Sequence, residues 1–300
     1  MYNIPVLFLI FNRPDTTAQV FERIRQIKPT HLYVAADGAR EGRPDEVKRC
    51  TEVRAIIEGI DWQCELKTLY REKNLGCKIA VSEAITWFFE QEEYGVILED
   101  DCLPDLSFFP FCEELLIRYK DDDRIGHISG DCFFPGIFKN GLSYDFCFFA
   151  HIWGWASWRR VWKNYDIHFT YWEQAQKNKR KTKNLFRNLK EKVYFSSFIS
   201  DAVSGRGMDT WDAQYLFMLR TQNQLSIYPS VNLVTNIGFN NPNATNTKKS
   251  GTKDCIPSKP VHFPLKHPEY VMDNKEIDNR IITYNFFSVR RTLRYLLHDY

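Results

Sequence analysis

The stretch VILEDDCLPD, Val96 to Asp105, places three acidic side chains directly after an apolar run. Like charges this close repel one another, so Glu99, Asp100 and Asp101 need a positive partner. Their carboxylate oxygens are hard ligands of the kind that Mg²⁺ and Mn²⁺ prefer. On extended backbone Glu99 and Asp101 can face one side while Asp100 faces the other. The pattern indicates a divalent cation at the end of a buried strand, and such an ion can also clamp a diphosphate.

A helix cap is the alternative reading of these acids. Asp101 or Asp105 could begin a helix that starts at Phe108, because acidic side chains are favoured at helix N-termini. One cap needs only one acid, however, so capping leaves most of the cluster unexplained.

The elements that must position these acids lie in the first 120 residues, where strand and helix patterns alternate. Apolar runs predict strands at Val6–Phe11, His31–Ala36, Leu66–Tyr70 and Val96–Leu98, and apolar residues at helical spacing follow each of them. Alternation of this kind predicts an α/β fold with a largely parallel sheet flanked by helices. Ligands of such sheets bind beyond the carboxyl ends of the strands. The four predicted strands end in Asn12-Arg13, Asp37, Arg71 and the acidic cluster, which we therefore expect to share one site.

The rest of the chain is less regular. A basic run over residues 177–192 is predicted to be a surface helix or a mobile excursion, and residues 238–260 have the composition of a loop. The tail from Tyr284 has helical spacing. No internal repeat or linker is visible, so the sequence predicts one mixed α/β domain over 1–240 and a loop with a helical extension over 241–300.

Composition restricts the class of protein. Net charge is only +2 over 300 residues, so no overall field attracts nucleic acid. No apolar run of about 18 residues is present to span a bilayer. Eight cysteines occur without any C-x-x-C pair, which predicts free thiols rather than a zinc site. No G-x-G-x-x-G follows the first strand, which argues against an oxidoreductase. We expect an intracellular, cytoplasmic protein.

At this point the chain resembles a known family. The segment LEDDCLPDLSFFPFCEELL looks like the metal-binding segment of GT-A glycosyltransferases, in the group that includes N-acetylglucosaminyltransferase I and bacterial family 2-like enzymes. Further matches follow in order: IPVLFLIFNRP, VAADG, YREKNLGCKIAVSEAI, WGWASWRRVW, DTWDAQY and NLVTNIGF. The resemblance implies a Rossmann-like GT-A fold, with a nucleotide-binding half over 1–120 and an acceptor-binding half over 121–240. It also implies a UDP-sugar donor and Mn²⁺ or Mg²⁺.

The resemblance assigns roles on the donor side. Asp101 would be the metal ligand, with Glu99 and Asp100 nearer the sugar and ribose. Asp37 would accept the imide N–H of uracil, although it could equally be a turn residue in its Asp-Gly pair. Arg71 would meet phosphate or base, or remain a solvated charge. The nucleotide would lie against three further residues, namely Phe11, Asn12 and Arg13.

An inverting transferase also needs a general base to deprotonate the acceptor hydroxyl. The resemblance places it at Asp212 in the Trp211-Asp212 pair, with Asp209 as a rival; where relatives often have a second acid, this chain has Ala213. A helix N-terminal acid is the alternative role for Asp212. Trp153 and Trp155 would form either an acceptor platform or ordinary core.

The function expected from this resemblance is transfer of a sugar to a glycan or lipid-linked acceptor in surface polysaccharide or lipopolysaccharide biosynthesis. A metal-dependent hydrolase or phosphatase is one alternative. A non-catalytic nucleotide- or glycan-binding protein is another, because Ala213 and Asn246 depart from the family pattern. The tail after Tyr284, with its basic flank, suggests a peripheral contact with an anionic membrane. Docking of that tail on its own domain is the competing expectation.

Overall fold

The computed structural model describes residues 1–138, 141–178, 185–204, 209–239 and 256–286, and it is built on an eight-stranded mixed sheet. Its strands are β1 (Val6–Ile10), β2 (His31–Ala36), β3 (Glu65–Tyr70), β4 (Tyr94–Glu99), β6 (Ile125–Ser129), β7 (Tyr144–Cys147), β8 (Trp155–Trp158) and β9 (Leu225–Pro229). They lie in the order β3-β2-β1-β4-β8-β6-β9-β7. Two short strands, β5 (Cys102–Pro104) and β10 (Val234–Asn236), form a separate antiparallel pair.

Helices flank the sheet. They are α1 (Pro14–Ile27), α2 (Pro44–Ile56), α3 (Gly76–Gln91), α4 (Phe108–Arg118), α5 (Arg159–Trp162), α6 (Thr170–Gln176), α7 (Leu189–Val203), α8 (Asp212–Thr221) and α9 (Lys275–Phe286), with a 3-10 turn at Ile57–Gly59. None of the helices in the described ranges is long and apolar enough to cross a membrane.

The first half of the sheet confirms the predicted α/β fold. β3, β2, β1 and β4 are all parallel, and every residue of β1 is buried, as expected for a strand covered by helices on both faces. Leu9 of β1 pairs with Ala35 on one side and Glu99 on the other. This register brings the ends of these strands, and the polar residues after them, to one edge of the sheet.

The second half adds strands in both directions. β8 pairs antiparallel with β4 and β6, while β9 runs parallel to β6 and antiparallel to β7. The sheet therefore continues without a break between the two predicted halves. Residues 256–286 also pack on it: the backbone N–H of Phe148 donates to Asp278 Oδ1 at 2.9 Å, and Ile277 is fully buried.

Several local predictions need correction. From its side chain Asp15 would be expected to cap α1, but Arg13 holds that position, because Pro14 fixes the first helical position and Asp15 falls in the first turn. α4 begins after Ser107, whose N–H and hydroxyl both donate to Asp105 Oδ1, so Asp105 shapes the turn before the helix. Leu185, Leu189 and Val193 at the basic run have the spacing of an apolar stripe, but they do not form one buried face, because Leu189 is 62% exposed.

The cysteine prediction is confirmed, and some other predictions concern residues outside the described ranges. The seven cysteines in the described part of the chain are all free, and five of them are buried, as the sequence predicted. Residues 179–184 of the basic run, Asn246 and the tail after Phe286 lie outside the described residues. The membrane contact of the tail therefore stays a hypothesis.

Candidate functional site

A cavity of about 470 Å³ opens at the carboxyl ends of β1 to β4. The segments that follow these four strands line it, as predicted, through the residues Phe11, Asn12, Arg13, Asp37, Arg71, Glu99, Asp100 and Asp101. The start of α3, the start of α8 and the residues just after β10 complete the wall. Strand ends far apart in the sequence thus converge because the parallel register aligns them.

The acidic cluster has a basic partner within the protein. Arg13 Nη1 lies 2.7 Å from Asp101 Oδ2, and Arg13 Nη2 forms an ion pair with Asp100 Oδ1. Asp100 Oδ2 also accepts the backbone N–H of Phe11 at 3.2 Å. Burial raises the pKa of Asp100 to about 6, although Arg13 opposes the rise. Burial lowers the pKa of Arg13, but the two carboxylates more than reverse this and hold the guanidinium charged.

Glu99 differs from its two neighbours. It is half-buried and lines the cavity, and no hydrogen bond or ion pair joins its carboxyl group to any residue in the described ranges. Burial, followed by repulsion from Asp101 and Asp100, raises its pKa to about 8. Asp212 contributes a further repulsion, which places that carboxylate within electrostatic reach. Glu99 therefore presents to a ligand in the cavity a carboxyl group that has no partner among the described residues.

The junction of β1 and α1 holds Arg13 in position. Its carbonyl oxygen accepts the backbone N–H of Thr17 at 3.0 Å and the Thr17 hydroxyl at 2.7 Å. From the other side Gly238 packs against the ion pair, so closely that a Cβ atom there would lie 2.2 Å from Asp101 Oδ2. The backbone N–H of Ile237 donates to the carbonyl of Asp101 at 2.8 Å. The segment after β10 thus closes over the acidic cluster.

Asp37 is occupied by the segment that begins α3. Its carboxylate accepts the side-chain amide of Asn74 at 2.9 Å and the backbone N–H groups of Leu75 and Gly76 at 3.0 and 3.1 Å. The N–H of Gly38 donates as well, at 2.9 Å. Burial nevertheless raises the pKa of Asp37, more than these bonds lower it. Asp37 fixes this turn, and its contact with a base stays a prediction.

Two further networks stabilise the cavity wall. Asn12 is 1% exposed and donates to the buried Glu46 at 3.1 Å, and Glu46 also accepts the backbone N–H of Arg40 at 2.9 Å. The Arg40 guanidinium lies 5.8 Å from the centre of the Phe11 ring. Asn12 therefore connects two loops, while the guanidinium of Arg40, a cavity residue not predicted from sequence, is paired with the Glu46 carboxylate.

Arg71 lines the cavity with most of its side chain covered. Its Nη2 lies 2.7 Å from Glu83 Oε2 on α3, and its exposed fraction is 22%. Glu83 is half-exposed, so this ion pair is solvated on one side and leaves the guanidinium able to turn toward an anionic ligand.

Asp212 begins α8 at the cavity wall. Trp211, stacked on Trp155 with ring centres 5.5 Å apart, fixes the start of this helix in the core. The Thr210 hydroxyl donates to Asp212 Oδ1. Burial raises the pKa of Asp212, while the Thr210 bond opposes the rise. Asp209, the rival predicted from sequence, is exposed and does not line the cavity.

Trp153 and Trp155, which the sequence predicted as either an acceptor platform or core, have different locations. Trp155 in β8 is 1% exposed, stacks on His127 and does not line the cavity, so the platform interpretation is wrong for this residue. The reason is that β8 is a central strand between β4 and β6, so its side chains are covered by neighbouring parts of the protein. Trp153 does line the cavity, and the centre of its ring lies 5.4 Å from the centre of the Phe239 ring. Trp211 also lines the cavity, but its side chain is 1% exposed and packs in the core against Trp155.

Several lining residues were not found from sequence: Arg40, Asn74, Cys77, Thr210, Asn236 and Phe239. Five of them lie within segments that carried the family resemblance, so a signal for them was present: Asn74, Cys77, Thr210, Asn236 and Phe239. Arg40 lies outside those segments, and only its neighbours in space give it a place in the site.

The donor set suits a divalent ion only in part. Among the described residues, no three His, Cys, Asp or Glu side chains converge as a ready-made metal cage. Asp101 does line the cavity, and its carboxylate oxygens are hard ligands, although Oδ2 is paired with Arg13. Mg²⁺ characteristically binds to one or two carboxylates together with substrate phosphates and water. The residues present therefore fit an ion that arrives with a diphosphate, held by Asp101.

The fold and cavity define a Rossmann-like α/β protein with its site at the carboxyl edge of the parallel strands. No protein-family profile and no curated protein matches the sequence. In structure the chain is similar to HddC from Yersinia pseudotuberculosis, with 9% identity, 55% of this chain and 80% of that chain covered, and a TM-score of 0.32.

Two other solved structures show a similar likeness. A cytidylyltransferase from Leptospira borgpetersenii has 10% identity over 60% of this chain and 74% of its own, with a TM-score of 0.35. The 4-diphosphocytidyl-2C-methyl-D-erythritol synthase from Anaerococcus prevotii has 8% identity over 65% and 84%, with a TM-score of 0.31. These scores are too low to carry an activity from those proteins to this chain.

Proposed function

We propose that this protein is a metal-dependent, inverting glycosyltransferase that uses a nucleotide-sugar donor, with UDP as the nucleotide. The observation that carries the proposal is that one cavity contains both the acidic cluster with Arg13 and the half-buried carboxylate of Asp212. The first group suits a diphosphate and its cation, and the second suits proton removal. The order of motifs that resembles GT-A enzymes supports the same function.

The donor would lie along the strand ends. A nucleoside would meet the wall formed by Phe11, Asp37 and Arg40, and the diphosphate would lie near Arg13 and Arg71, whose guanidinium groups suit phosphate oxygens. The partly free carboxyl group of Glu99 would accept hydroxyl groups of the donor sugar. Asp101 would hold the Mn²⁺ or Mg²⁺ ion, which when bound stabilises the charge of the leaving diphosphate.

Asp212 would act as the general base. It takes the proton of the acceptor hydroxyl while that oxygen forms its bond to the anomeric carbon. The bond from this carbon to the diphosphate oxygen breaks on the opposite face, and the leaving group takes the electron pair, so the anomeric configuration inverts. Its raised pKa keeps Asp212 basic enough to accept the proton, since a base works best with a pKa near the working pH.

The acceptor would approach past Trp153 and Phe239, whose rings border the cavity in an edge-to-face pair. Such a pair offers apolar faces to the C–H groups of a sugar. A glycan or lipid-linked acceptor of surface polysaccharide or lipopolysaccharide synthesis is the class we propose.

Release of free UDP from a panel of UDP-sugars in Mn²⁺, with and without sugar acceptors, tests this function. A transferase releases UDP faster when the right acceptor is present, and a glycosylated product of inverted configuration appears. Equal release without any acceptor would instead favour the hydrolase alternative. Nucleotide binding without turnover of any donor and acceptor pair would favour a non-catalytic binding protein.

A further inference from the structure

Arg13 already supplies the cation that the acidic cluster needs. Its guanidinium bridges Asp100 and Asp101, and its side chain is only 14% exposed. No other Lys, Arg or His among the described residues forms an ion pair with these two acids. The repulsion within the cluster is therefore balanced before any metal ion arrives.

A divalent ion and this guanidinium would compete for the same carboxylate. Arg13 Nη1 contacts Asp101 Oδ2 at 2.7 Å, and a carboxylate that is already paired with a guanidinium attracts a second cation less strongly. Space is also limited, because a Cβ on Gly238 would lie 2.2 Å from Asp101 Oδ2 and 2.9 Å from Arg13 Nη1. Two positive groups side by side in this partly buried site would repel each other strongly.

We propose that Arg13 is the resident cation of this site and excludes Mn²⁺ or Mg²⁺ from Asp101 until a diphosphate draws the guanidinium away. This inference rests on the proposed function, because it assigns the diphosphate of the donor as the trigger. A diphosphate offers Arg13 several charged oxygens in the geometry that a guanidinium binds best. Metal and nucleotide then enter together, and the nucleotide-free protein binds the metal weakly.

Titration of Mn²⁺ into nucleotide-free protein by calorimetry tests the inference without any turnover. For Arg13→Gln we expect Mn²⁺ to bind on the order of tenfold more tightly than in the wild type, because no guanidinium then offsets the field of the Asp101 carboxylate. Arg71→Gln is the matched control: it also removes a cavity arginine, but one that pairs with Glu83, so its Mn²⁺ affinity should equal that of the wild type. Arg13→Lys keeps the positive charge and should stay close to the wild type.

The thermal midpoint of each variant, with and without Mn²⁺, provides a second readout. Arg13→Gln should unfold at a lower temperature than the wild type in EDTA and recover when Mn²⁺ is added, whereas Arg71→Gln should gain nothing from the metal. Equal Mn²⁺ affinity in Arg13→Gln and the wild type would overturn the inference. So would equal tightening in Arg13→Gln and Arg13→Lys, because charge would then not be the cause.

These outcomes are separate from those of the proposed function. If Arg13→Gln tightens Mn²⁺ binding but no UDP-sugar is consumed by the wild type, the resident cation stands and the glycosyltransferase proposal fails. If sugar transfer is found while the affinities of Arg13→Gln and wild type are equal, only the inference about Arg13 fails.

Discussion

Substitution of Gly238 by alanine is the sharpest test of how the site is packed. A Cβ at this position would lie 2.2 Å from Asp101 Oδ2 and 2.9 Å from Arg13 Nη1. Contacts below about 3 Å between such atoms do not persist, so either the ion pair or the segment after β10 must move. Neither gives way easily, because Ile237 is bonded to the Asp101 carbonyl and Asn236 pairs with Cys102.

The expected cost follows from this overlap. Adding one methyl group to a tightly packed site typically costs about 1–3 kcal/mol, because neighbouring groups are forced from their preferred positions. We therefore expect Gly238→Ala to lower the free energy of unfolding by about that amount. Displacement of the Asp101 carboxylate should also weaken binding of UDP in the presence of Mn²⁺ by on the order of tenfold.

Chemical denaturation followed by tryptophan fluorescence measures the first effect, and calorimetry measures the second. Gly59→Ala is the matched control, because a Cβ there would meet only Phe21 at an ordinary 3.5 Å. That control should change stability by less than about 1 kcal/mol, in the stabilising direction. If Gly238→Ala proves as stable as Gly59→Ala and binds UDP normally, Gly238 does not lie against the ion pair and the proposed packing is wrong.

The remaining predictions concern the proposed chemistry. Asp212→Asn should lower kcat by about a hundredfold or more, the usual scale for loss of a general base, with little change in donor affinity. Asp209→Asn, three residues earlier and exposed, should keep near-normal turnover; the reverse result would move the role of base to Asp209. The base acts deprotonated, so kcat/KM should fall as pH drops through the pKa of Asp212, which burial raises above that of an ordinary aspartate; a pH profile without this acid limb would contradict the assignment. Asp101→Ala should abolish Mn²⁺-dependent UDP binding in calorimetry yet leave the thermal midpoint nearly unchanged, because Arg13 keeps its pair with Asp100.

The ends of the strands show how much of the site could be predicted from local sequence patterns. An apolar run followed by a polar residue is visible in the sequence at β1, β2, β3 and β4, and the rule that parallel strands bind ligands at their carboxyl ends then gathers Arg13, Asp37, Arg71 and Asp101. The structure places these four residues in one cavity. Their strands could be recognised because hydrophobic patterning indicates strands of this kind. The structure also placed Asp212 rather than Asp209 at the cavity, a choice that depends on how Trp211 packs in the core.

Other roles required three dimensions. Asp37 had the side chain and the position expected of a ligand-binding residue. Its carboxylate oxygens instead accept hydrogen bonds from backbone N–H groups almost 40 residues later, and no local sequence pattern predicts that pairing. Trp153 and Trp155 are equal in sequence terms, and only the sheet decides that one faces the cavity and the other the core. Arg40 is held at the site by its hydrogen bond to Glu46, which no local pattern predicts.

The sequence by itself determined the α/β class, the four parallel strands and the location of an acidic cluster at their edge, because these follow from periodicity and from side-chain charge. What only the tertiary structure decided is which positive group the cluster meets. Arg13 and the acids are almost 90 residues apart along the chain, and the parallel register of β1 and β4 brings them into contact at 2.7 Å. Electrostatic partners are chosen by distance in space, and that distance is set by packing.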